Sequence, residues 1–594
     1  MNRLQNTFEN RWNGPLFLQV CVLILFFAFG LRFWYLQIHK GAHFAAKARE
    51  NKTQSESIHA PRGIIRDRNG HLLAVNEPAY ALAIVREDSR DIDRSFAQIS
   101  TWTGISLEDL QREFVRGRPR VKSFEPQILV PNLSFELVST IEAHTMDWPE
   151  LKIVVQPRRH YPYNDVLSHV LGYVAQANEE ELNRDPRLDL GDTVGKQGIE
   201  LVLEDVLRGS KGLRQNEVDV VGRNLNWSLI REPVPGNDLA LSLDMDIQKL
   251  ATEQLEGQAG AIVVMDPYSG ELLALVSHPG YDTNEFVKGL RTEVWQQLIQ
   301  DPFHPLQNRA IQSTFPPGSV FKLAVAAAGL AEGEINPGKK VFCPGFYKKG
   351  NRVFRCWKRH GHGMLDLEGA LVQSCDVYFY QLGERLGIDT ISKYAKEFGF
   401  GRPTGVELPH EKGGLIPTRE WKLKRFGEPW QGGETLNISI GQGYTLTTPL
   451  QVAQFISALV NGGNIYRPTL INGAEPDLQG ELHLKKAHRE RILKTMVETV
   501  ENPRGTAWRL KKKGVEMGGK TGTSQVVKLK DEYLDKETDE IPYKFRDHGW
   551  IASYGKKGDQ AYVVVVLVEH GGGGGSAASP LARAIFDKLF PEPQ

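Results

Sequence analysis

The sequence lacks a net charge and is poor in cysteine. Its 594 residues contain 72 Lys plus Arg and 72 Asp plus Glu, so the overall balance gives no reason to expect a nucleic-acid partner. Basic clusters such as residues 509–513 are interpreted as solvated surface. Because 41% of the residues are hydrophobic, large cores are possible, and a chain of this length is expected to form several domains.

Long apolar runs are also absent, except for one near the amino terminus. Residues 14–31 carry no charge, and the run continues past Arg32. It is long enough to span a bilayer as a helix. Trp34 and Tyr35 suit the headgroup region, and the Arg32 side chain can extend to the same interface. The sequence therefore predicts one transmembrane helix, over residues 14–38.

The charges around this run predict its orientation. In the leader, residues 1–13, Arg3 and Arg11 outweigh the single acidic residue, so the amino terminus should stay cytoplasmic and the rest of the chain should lie outside. The competing interpretation is a signal peptide cleaved at residues 46–48. We disfavour cleavage, because that site lies far beyond the apolar run.

A serine and a lysine stand one helical turn apart in the stretch from Ser319 to Lys322. Side chains three residues apart are neighbours on a helix. The preceding Pro316-Pro317-Gly318 predicts a sharp turn into that helix, which places Ser319 at its positive amino-terminal end. A desolvated amine beside another cation has a lowered pKa and can take a serine proton. We therefore predict Ser319 as a nucleophile and Lys322 as its base.

Two further motifs follow along the chain. Ser374-Cys375-Asp376 contributes a second serine, and residues 520–527 are predicted to form a strand. In that strand a cation and two hydroxyls suit a substrate carboxylate, and a glycine lets a substrate backbone come close. Each motif alone is compatible with a solvated helix or strand end, but the ordered set indicates acyl transfer. The third motif consists of Lys520, Thr521, Gly522 and Thr523.

In this order the three motifs resemble those of the penicillin-binding proteins and serine β-lactamases. Further stretches resemble the class B penicillin-binding proteins in order and spacing, and the resemblance covers nearly everything from residue 62 to residue 580. Asp376 stands where many relatives have an asparagine, and in this the chain is more similar to the elongation-type members than to the division-type members. The further stretches are residues 62–70, 195–200, 308–310 and 439–443.

The resemblance implies a peptidoglycan D,D-transpeptidase that cross-links stem peptides during elongation of the bacterial cell wall and is a β-lactam target. By this resemblance Ser319 attacks the D-alanyl-D-alanine carbonyl and Ser374 relays the proton to the leaving amine. Lys520 and Thr521 hold the terminal carboxylate, and the N–H groups of Ser319 and Thr523 form the oxyanion hole. No cofactor is needed for this chemistry.

Asp376 has more than one possible role in this scheme. It could bind a substrate amide, or it could pair with Lys322 or with Lys520. The sequence leaves these alternatives open.

Other functions fit the same motifs. A septal transpeptidase of the same class is the nearest alternative. A β-lactamase would need a glutamate where Gly433 stands, and Glu434 is one residue out of register, so we interpret this near match as a structural turn. A sensor usually has several membrane spans, whereas this chain shows one.

The resemblance also implies partners and a location. A transpeptidase without a second catalytic motif cannot polymerise glycan, so a membrane glycosyltransferase of the SEDS family is expected beside it. Scaffold proteins of the elongation complex and the lipid-linked precursor polymer are expected as further partners. The catalytic domain would lie in the periplasm, anchored by a single pass to the inner membrane.

The chain divides into two parts after the membrane segment. Residues 39–235, called the pedestal below, mix short strands with charged helical stretches and show no pair of nucleophile and base, so they are predicted to be an α+β interaction domain. Turn-forming residues 233–238 mark the boundary, and a strand is predicted at 239–243. Residues 236–594 are assigned to the transpeptidase domain.

Within 236–594, terminal apolar strands and a terminal helix enclose a helical middle. A hairpin at 260–277, a strand at 561–569 and a helix at 581–590 predict an α/β fold with a central sheet and helices on both faces. The resemblance specifies this fold as the antiparallel transpeptidase fold shared with serine β-lactamases, carried on an elongated pedestal.

Three of the four cysteines cluster near the second motif. Cys343, Cys356 and Cys375, with His362, supply the three thiolates and one imidazole that are common in structural zinc sites. Because Cys375 lies inside the second motif, a metal here would hold that motif in register with the nucleophile. A Cys343–Cys356 disulfide and inert buried thiols are the alternatives.

A charged stretch follows the third motif. Residues 528–546 are rich in Asp, Glu and Lys and predict a surface loop. We interpret it as solvated, with a gate over the site as the alternative.

Overall fold

The computed structural model describes residues 13–45, 53–119, 121–218, 224–526 and 540–592. Most of the leader, the cleavage site considered at 46–48, and residues 528–539 of the charged stretch lie outside these ranges. Helix α1 (Asn13–Trp34) continues into a π turn (Tyr35–His39). In the described ranges, Gly14–His39 is the one helix long and apolar enough to cross a membrane.

The pedestal is built on a sheet whose longest strand is β3. β3 (Leu72–Ile84) pairs antiparallel with β2 (Ile65–Arg66), β4 (Gln127–Leu133) and β5 (Leu151–His160). A second, three-stranded sheet and a short hairpin complete the pedestal strands. The second sheet contains β1 (Thr53–Ile58), β8 (Gly212–Val218) and β9 (Asn224–Arg231), and the hairpin joins β6 (Val174–Gln176) to β7 (Thr193–Gly195).

Helices cover one side of the larger pedestal sheet. Leu82 and Ile84 of β3 pack with Phe96, Ile99 and Phe114 from two neighbouring helices to form a separate small core. The side chains of Asp91 and Ser106 cap the amino termini of these two helices. The pedestal helices are α2 (Ile92–Thr103), α3 (Leu107–Gly117), α4 (Phe135–Ala143), α5 (Ser168–Leu171), α6 (Glu179–Arg184), α7 (Gly198–Val202) and α8 (Glu204–Leu207).

The connection to the transpeptidase domain differs from the predicted strand at 239–243. The strand here, β10, is only Leu239–Ala240, and it pairs in parallel with β2 of the pedestal. Pairing between segments so far apart in sequence leaves no local pattern, so the sequence indicated a strand but not its partner.

The transpeptidase domain has the predicted central antiparallel sheet, in the order β12-β11-β21-β20-β19. The predicted hairpin at 260–277 and the strand at 561–569 are confirmed as β11, β12 and β21. The third-motif strand begins four residues earlier than predicted and ends at Ser524. The strands are β11 (Gly260–Met265), β12 (Leu272–His278), β19 (Glu516–Ser524), β20 (His548–Lys557) and β21 (Gln560–Val568).

Side chains at alternate positions of these strands pack into two different cores, because successive side chains of a strand lie on opposite faces of the sheet. Val563, Val565 and Leu567 of β21 face the larger core, whereas Val564 and Val566 face the smaller one. Helices from the middle of the sequence cover the first face, and the helix Met245–Gln254 with the carboxy-terminal helix covers the second. The helices on both faces confirm the predicted fold class.

The remaining helices lie mostly between β12 and β19 in sequence. The segment 433–437 is helical rather than the predicted turn, because Gln431 and Glu434 form a capping box at the start of its helix. The helices are α9 (Met245–Gln254), α10 (Thr283–Lys288), α11 (Thr292–Gln300), α12 (Lys322–Ala331), α13 (Leu367–Val372), α14 (Asp376–Glu397), α15 (Arg419–Phe426), α16 (Gly432–Ser439), α17 (Pro449–Val460), α18 (Lys486–Glu501), α19 (Gly574–Ala577) and α20 (Ser579–Leu589).

Short strands form small two-stranded sheets outside the central sheet. They are β13 (Val341–Cys343) with β16 (Gly363–Leu365), β14 (Phe346–Lys349) with β15 (Arg352–Arg355), and β17 (Asn464–Tyr466) with β18 (Leu478–Glu481).

Candidate active site

Ser319 lies in a 3-10 turn, Gly318–Phe321, that leads directly into α12. Gly318 has a φ of +53°, and a Cβ at this position would lie 2.7 Å from the Thr523 carbonyl oxygen of β19. Its N–H donates to the Gly441 carbonyl at 3.0 Å. Glycine is needed here because a side chain would collide with β19 and strain the backbone. The turn thus holds the half-buried Ser319 beside the third-motif strand.

Lys322 is fully buried and is held by the second motif. Its Nζ donates to Asp376 Oδ1 at 2.6 Å, to the Ser374 carbonyl at 2.9 Å and to Ser374 Oγ at 3.4 Å. The ring of Phe379 lies 5.5 Å from the same Nζ. Among the described residues, the hydrogen bonds of this amine go to Ser374 and Asp376 and none goes to Ser319. Of the alternatives left open for Asp376, the structure shows the pairing with Lys322.

Ser374 connects the two lysines of the site. Lys520 Nζ donates to Ser374 Oγ at 2.9 Å and to the Thr521 carbonyl at 3.1 Å. Ser374 has a φ of +54°, in the left-handed region that non-glycine residues rarely adopt. This conformation points its hydroxyl at both amines, so the hydroxyl can pass a proton between the lysines and a bound group.

Burial controls the charge states at the site. Desolvation lowers the pKa of Lys520 well below its ordinary value, and the like charge of Lys322 acts in the same direction. Burial raises the pKa of Asp376, and the charge of Lys322 offsets part of that rise. The Lys520 amine therefore loses its proton more readily than it would in water.

The two threonines of the third motif have different surroundings. Thr521 is buried and its Oγ1 donates to Thr506 Oγ1 at 2.8 Å. Thr523 is exposed, and its carbonyl accepts a hydrogen bond from Gln442 Nε2 at 3.1 Å. The third motif is thus linked to Thr506 on one side and to Gln442 on the other.

Gly522 makes a close approach to the turn that carries Ser319, which could not be predicted from the sequence. A Cβ at this position would lie 2.9 Å from the Pro317 carbonyl oxygen and 3.1 Å from Val320 Cγ2. The missing side chain therefore lets the turn Gly318–Phe321, which contains the predicted nucleophile and is called the nucleophile turn, pack against β19, whereas the predicted role of this space was to admit substrate.

The predicted zinc ligands lie together beside the second motif. One ligand atom from each of Cys343, Cys356, His362 and Cys375 lies within 4.8 Å of the other three. Both Cys343 Sγ and Cys356 Sγ are 3.5 Å from His362 Nδ1. A tetrahedral zinc would place sulfur and nitrogen ligands roughly 3.6 Å apart, so the four residues fit this metal. All four cysteines are free thiols, which is at odds with the Cys343–Cys356 disulfide.

Backbone turns hold this cluster. Cys356 N–H donates to the Gly345 carbonyl at 2.8 Å, and His362 N–H donates to the Cys343 carbonyl at 3.1 Å. Gly345 has a φ of +98°, and a Cβ there would lie 2.0 Å from the Arg359 carbonyl oxygen. The cysteines and the histidine are therefore positioned by two tight turns and by the start of α14.

Trp357 is a site residue that the sequence analysis missed. Its backbone N–H donates to Asp376 Oδ2 at 2.9 Å, and its indole N–H donates to the Ser374 carbonyl at 3.1 Å. Its ring lies edge-on to that of His362, 5.5 Å away. The only sequence signal for this role is its position directly after Cys356.

Two family models match this chain. The model described as "Penicillin binding protein transpeptidase domain" matches residues 260–587, and the model described as "Penicillin-binding Protein dimerisation domain" matches residues 57–241. The first match contains all three motifs and the cysteine cluster.

Curated relatives agree with these models along most of the chain. The Peptidoglycan D,D-transpeptidase MrdA of Haemophilus influenzae is 35% identical over 93% of this chain and 88% of its own length. The MrdA protein of Escherichia coli (strain K12) is 33% identical over 87% of this chain and 85% of its own length.

Solved structures share the fold. The Helicobacter pylori Penicillin-Binding Protein PBP2, in a complex with MreC, has a TM-score of 0.81 and 32% identity, with 91% of this chain and 99% of that chain covered. A chain of a peptidoglycan synthase complex that coordinates polymerization and crosslinking has a TM-score of 0.72 and 31% identity, with 98% of this chain and 99% of that chain covered.

Proposed function

Because this chain belongs to the class B penicillin-binding proteins and is an elongation-type peptidoglycan D,D-transpeptidase, we propose that its reaction is carried out by the cluster of Ser319, Lys322, Ser374, Asp376 and Lys520. The observation that carries this assignment is the position of Ser374 Oγ, which is within hydrogen-bond distance of both Lys322 and Lys520. An anchored enzyme of this kind acts on stem peptides and is acylated by β-lactams.

Acylation begins at the nucleophile turn. Ser319 Oγ attacks the carbonyl carbon between the two D-alanines of a stem peptide, and Lys322, one turn away, takes the serine proton. Asp376 keeps the Lys322 amine in place through the 2.6 Å contact. Negative charge on the carbonyl oxygen is stabilised by the N–H groups of Ser319 and Thr523.

Collapse of the tetrahedral intermediate breaks the peptide bond. Ser374 passes a proton to the leaving amine of the terminal D-alanine, because its hydroxyl contacts both lysine amines. Lys520 and Thr521 hold the terminal carboxylate of the donor before it leaves. An amine of a neighbouring stem then attacks the acyl-enzyme, which forms the cross-link and frees Ser319.

Covalent labelling with a fluorescent penicillin tests this assignment. The parent protein should be labelled at Ser319, and Ser319→Ala should not be labelled. Ser439→Ala is a matched control, since this serine is buried at the end of α16 and bonds to its own helix. Persistent covalent labelling of Ser319→Ala would contradict the assignment.

We also propose that Cys343, Cys356, His362 and Cys375 hold a structural zinc ion. The support is the fit of the four ligand atoms to tetrahedral spacing and their attachment to the second motif through Cys375. Zinc supplies no step of the reaction. It would fix the positions of Trp357 and Asp376, the residues that directly follow two of its ligands.

Metal analysis of the purified protein tests the zinc proposal. We expect one zinc per chain in the parent, none in Cys375→Ser, and one in the control Cys21→Ser, whose cysteine lies in the membrane helix. A parent protein without zinc would refute the proposal.

We further propose that the catalytic domain lies in the periplasm and that the anchor and pedestal contact a SEDS-family glycosyltransferase and scaffold proteins of the elongation complex. The support is the amino-terminal apolar helix, which is the one helix of the described ranges long enough to cross a membrane, and the similar solved structures, one in a complex with MreC and another from a peptidoglycan synthase complex. Depletion in cells should give round cells, whereas filaments would indicate septation instead.

A further inference from the structure

The hairpin of β14 and β15 has one covered face and one open face. Its register places Phe346 opposite Arg355 and Lys348 opposite Val353, so these four side chains point to the same side. All four are exposed, with 48% of Phe346 and 57% of Val353 accessible. We call these four residues the open hairpin face.

The other face of the hairpin packs against α14. Tyr347 and Lys349 both contact Glu384, and the ring of Phe354 lies 5.7 Å from that of Tyr380. Successive side chains of a strand point to opposite faces. Because one face of this hairpin packs on α14, the open hairpin face points away from α14.

The surrounding sequence is strongly basic. Residues 339–362 contain eight lysines and arginines and no aspartate or glutamate, although the whole chain has equal numbers of both signs. Lys348 and Arg355 are exposed, and neither has a carboxylate partner among the described residues. The open hairpin face therefore combines two apolar side chains with two available cations, and the other cations of the stretch are Lys339, Lys340, Lys349, Arg352, Lys358 and Arg359.

This face leads to the catalytic motif. Trp357 follows Arg355 by two residues and is 60% exposed, yet its N–H groups bind Asp376 and Ser374. The open hairpin face is therefore connected through Trp357 to Ser374 and Asp376 of the second motif.

We propose that the open hairpin face binds the peptidoglycan strand during cross-linking, through the free carboxylates of its stem peptides. The inference rests on the proposed function, since that reaction brings such strands to Ser319. Every stem that has not reacted ends in a free carboxylate, so an uncross-linked strand is a polyanion with regularly spaced charges. Lys348 and Arg355 bind these carboxylates, while Phe346 and Val353 pack against the apolar parts of sugar and peptide.

Cosedimentation with purified sacculi tests this site. The full-length chain in detergent is used with Ser319→Ala, so that no covalent bond forms. Lys348→Glu/Arg355→Glu should bind roughly tenfold more weakly than this parent, because two attractive contacts become repulsive. Lys556→Glu/Lys557→Glu is the matched control, since both lysines are exposed at the far end of β20, and it should bind like the parent.

Chemical change of the ligand gives a test that needs no variant. Sacculi whose carboxylates have been converted to amides should bind the parent weakly and should no longer distinguish it from Lys348→Glu/Arg355→Glu. Raising the salt from about 0.05 M to about 0.5 M should weaken parent binding more than variant binding. Equal binding of untreated and amidated sacculi would overturn the proposal.

Two controls separate folding and function from binding. If Lys348→Glu/Arg355→Glu melts at a lower temperature than the parent, the milder Lys348→Gln/Arg355→Gln should still show an intermediate loss of binding. Penicillin labelling of the chain with Ser319 intact reports the catalytic assignment independently. A protein that is labelled at Ser319, but whose charge-reversed variant binds sacculi as tightly as the parent, keeps the proposed function and rejects this site.

Discussion

Glu200→Gln removes a buried negative charge of the pedestal and leaves Arg62 and Arg159 around a neutral amide. Glu200 is fully buried, and its carboxylate accepts from Arg62 Nε at 2.5 Å and from Arg159 Nε at 2.6 Å. Arg62 and Arg159 are themselves only 9% and 4% exposed. Arg159 also donates to the Gly63 carbonyl, so this charge cluster joins the segment before β2 to β5 and α7.

The expected loss of stability follows from burial and geometry. At an effective dielectric of about 20, two unit charges about 4 Å apart attract each other by about 4 kcal/mol, and the burial of both charges opposes this attraction. Removing one partner of a buried pair typically costs ~3–5 kcal/mol. A glutamine still offers its oxygen to one of the arginines, so we expect a loss of about 3 kcal/mol. In a unit the size of the pedestal this lowers the melting temperature by roughly 6–12 °C.

The pH dependence gives a second criterion. Burial alone would raise the pKa of Glu200, but the charges of Arg62 and Arg159 outweigh burial and lower it below the ordinary 4.5. The carboxylate therefore contributes its full stabilisation above pH 4.5 and loses it as the pH falls through the lowered pKa. The difference in the free energy of unfolding between the parent and Glu200→Gln should be constant near neutral pH and should become smaller only below pH 4.5.

Scanning calorimetry of the full-length protein in detergent measures this effect. Glu180→Gln is the control, because this carboxylate is exposed on α6 and its replacement should leave the melting temperature unchanged. A pedestal transition of Glu200→Gln within about 2 °C of the parent would refute the reasoning, since about 3 kcal/mol requires a larger shift.

Three further changes test the site and its surroundings. Lys520→Met removes the amine that donates to Ser374 and should slow penicillin acylation by about 10²–10³-fold in stopped-flow measurements; slowing of less than about tenfold would contradict its role. Trp357→Phe removes the indole donor to the Ser374 carbonyl but keeps the backbone N–H that binds Asp376, so it should slow the same reaction by about 3–10-fold without changing the content of the proposed zinc ion; an unchanged rate would show that the indole donor plays no part in acylation. Burial raises the pKa of Asp547 to about 6, so its contribution to stability is present below the ordinary value of 3.8 and is lost as the pH rises through about 6. After allowance for partial exposure, Asp547→Asn should be more stable than the parent by about 1–2 kcal/mol at about pH 7.5 and equal to it near pH 4, as measured by thermal unfolding; lower stability at the higher pH would contradict this.

Much of the fold could be predicted because its central strands carry local signals. The apolar run of β21 and the turn residues between β11 and β12 are visible in the sequence, and the structure confirms both. The pairing of β11 with β21 joins segments about three hundred residues apart, and their sequences contain nothing that specifies this contact. The parallel pairing of β10 with β2 could not be predicted for the same reason.

The active site was predictable in its residue types but not in its contacts. The spacing of Ser319 and Lys322 indicated a nucleophile and a base, yet only the structure shows that the Lys322 amine is held by Asp376. Trp357 acts largely through its backbone N–H, which every residue except proline has, so no residue type marks this role. The irregular spacing of the four zinc-ligand candidates arises because they come from two tight turns and a helix start.

Asp376 and the cysteine cluster are physically connected. A carboxylate at this buried position is unfavourable by itself, since burial raises its pKa, and it persists because each of its oxygens has a donor. Lys322 donates to Oδ1, and the N–H of Trp357 donates to Oδ2. The second donor is in place because Trp357 directly follows Cys356, just as Asp376 directly follows Cys375. The cluster therefore fixes both the carboxylate and one of its two donors, so damage to the cluster would displace Asp376, and with it the amine of Lys322, before it displaced Ser319.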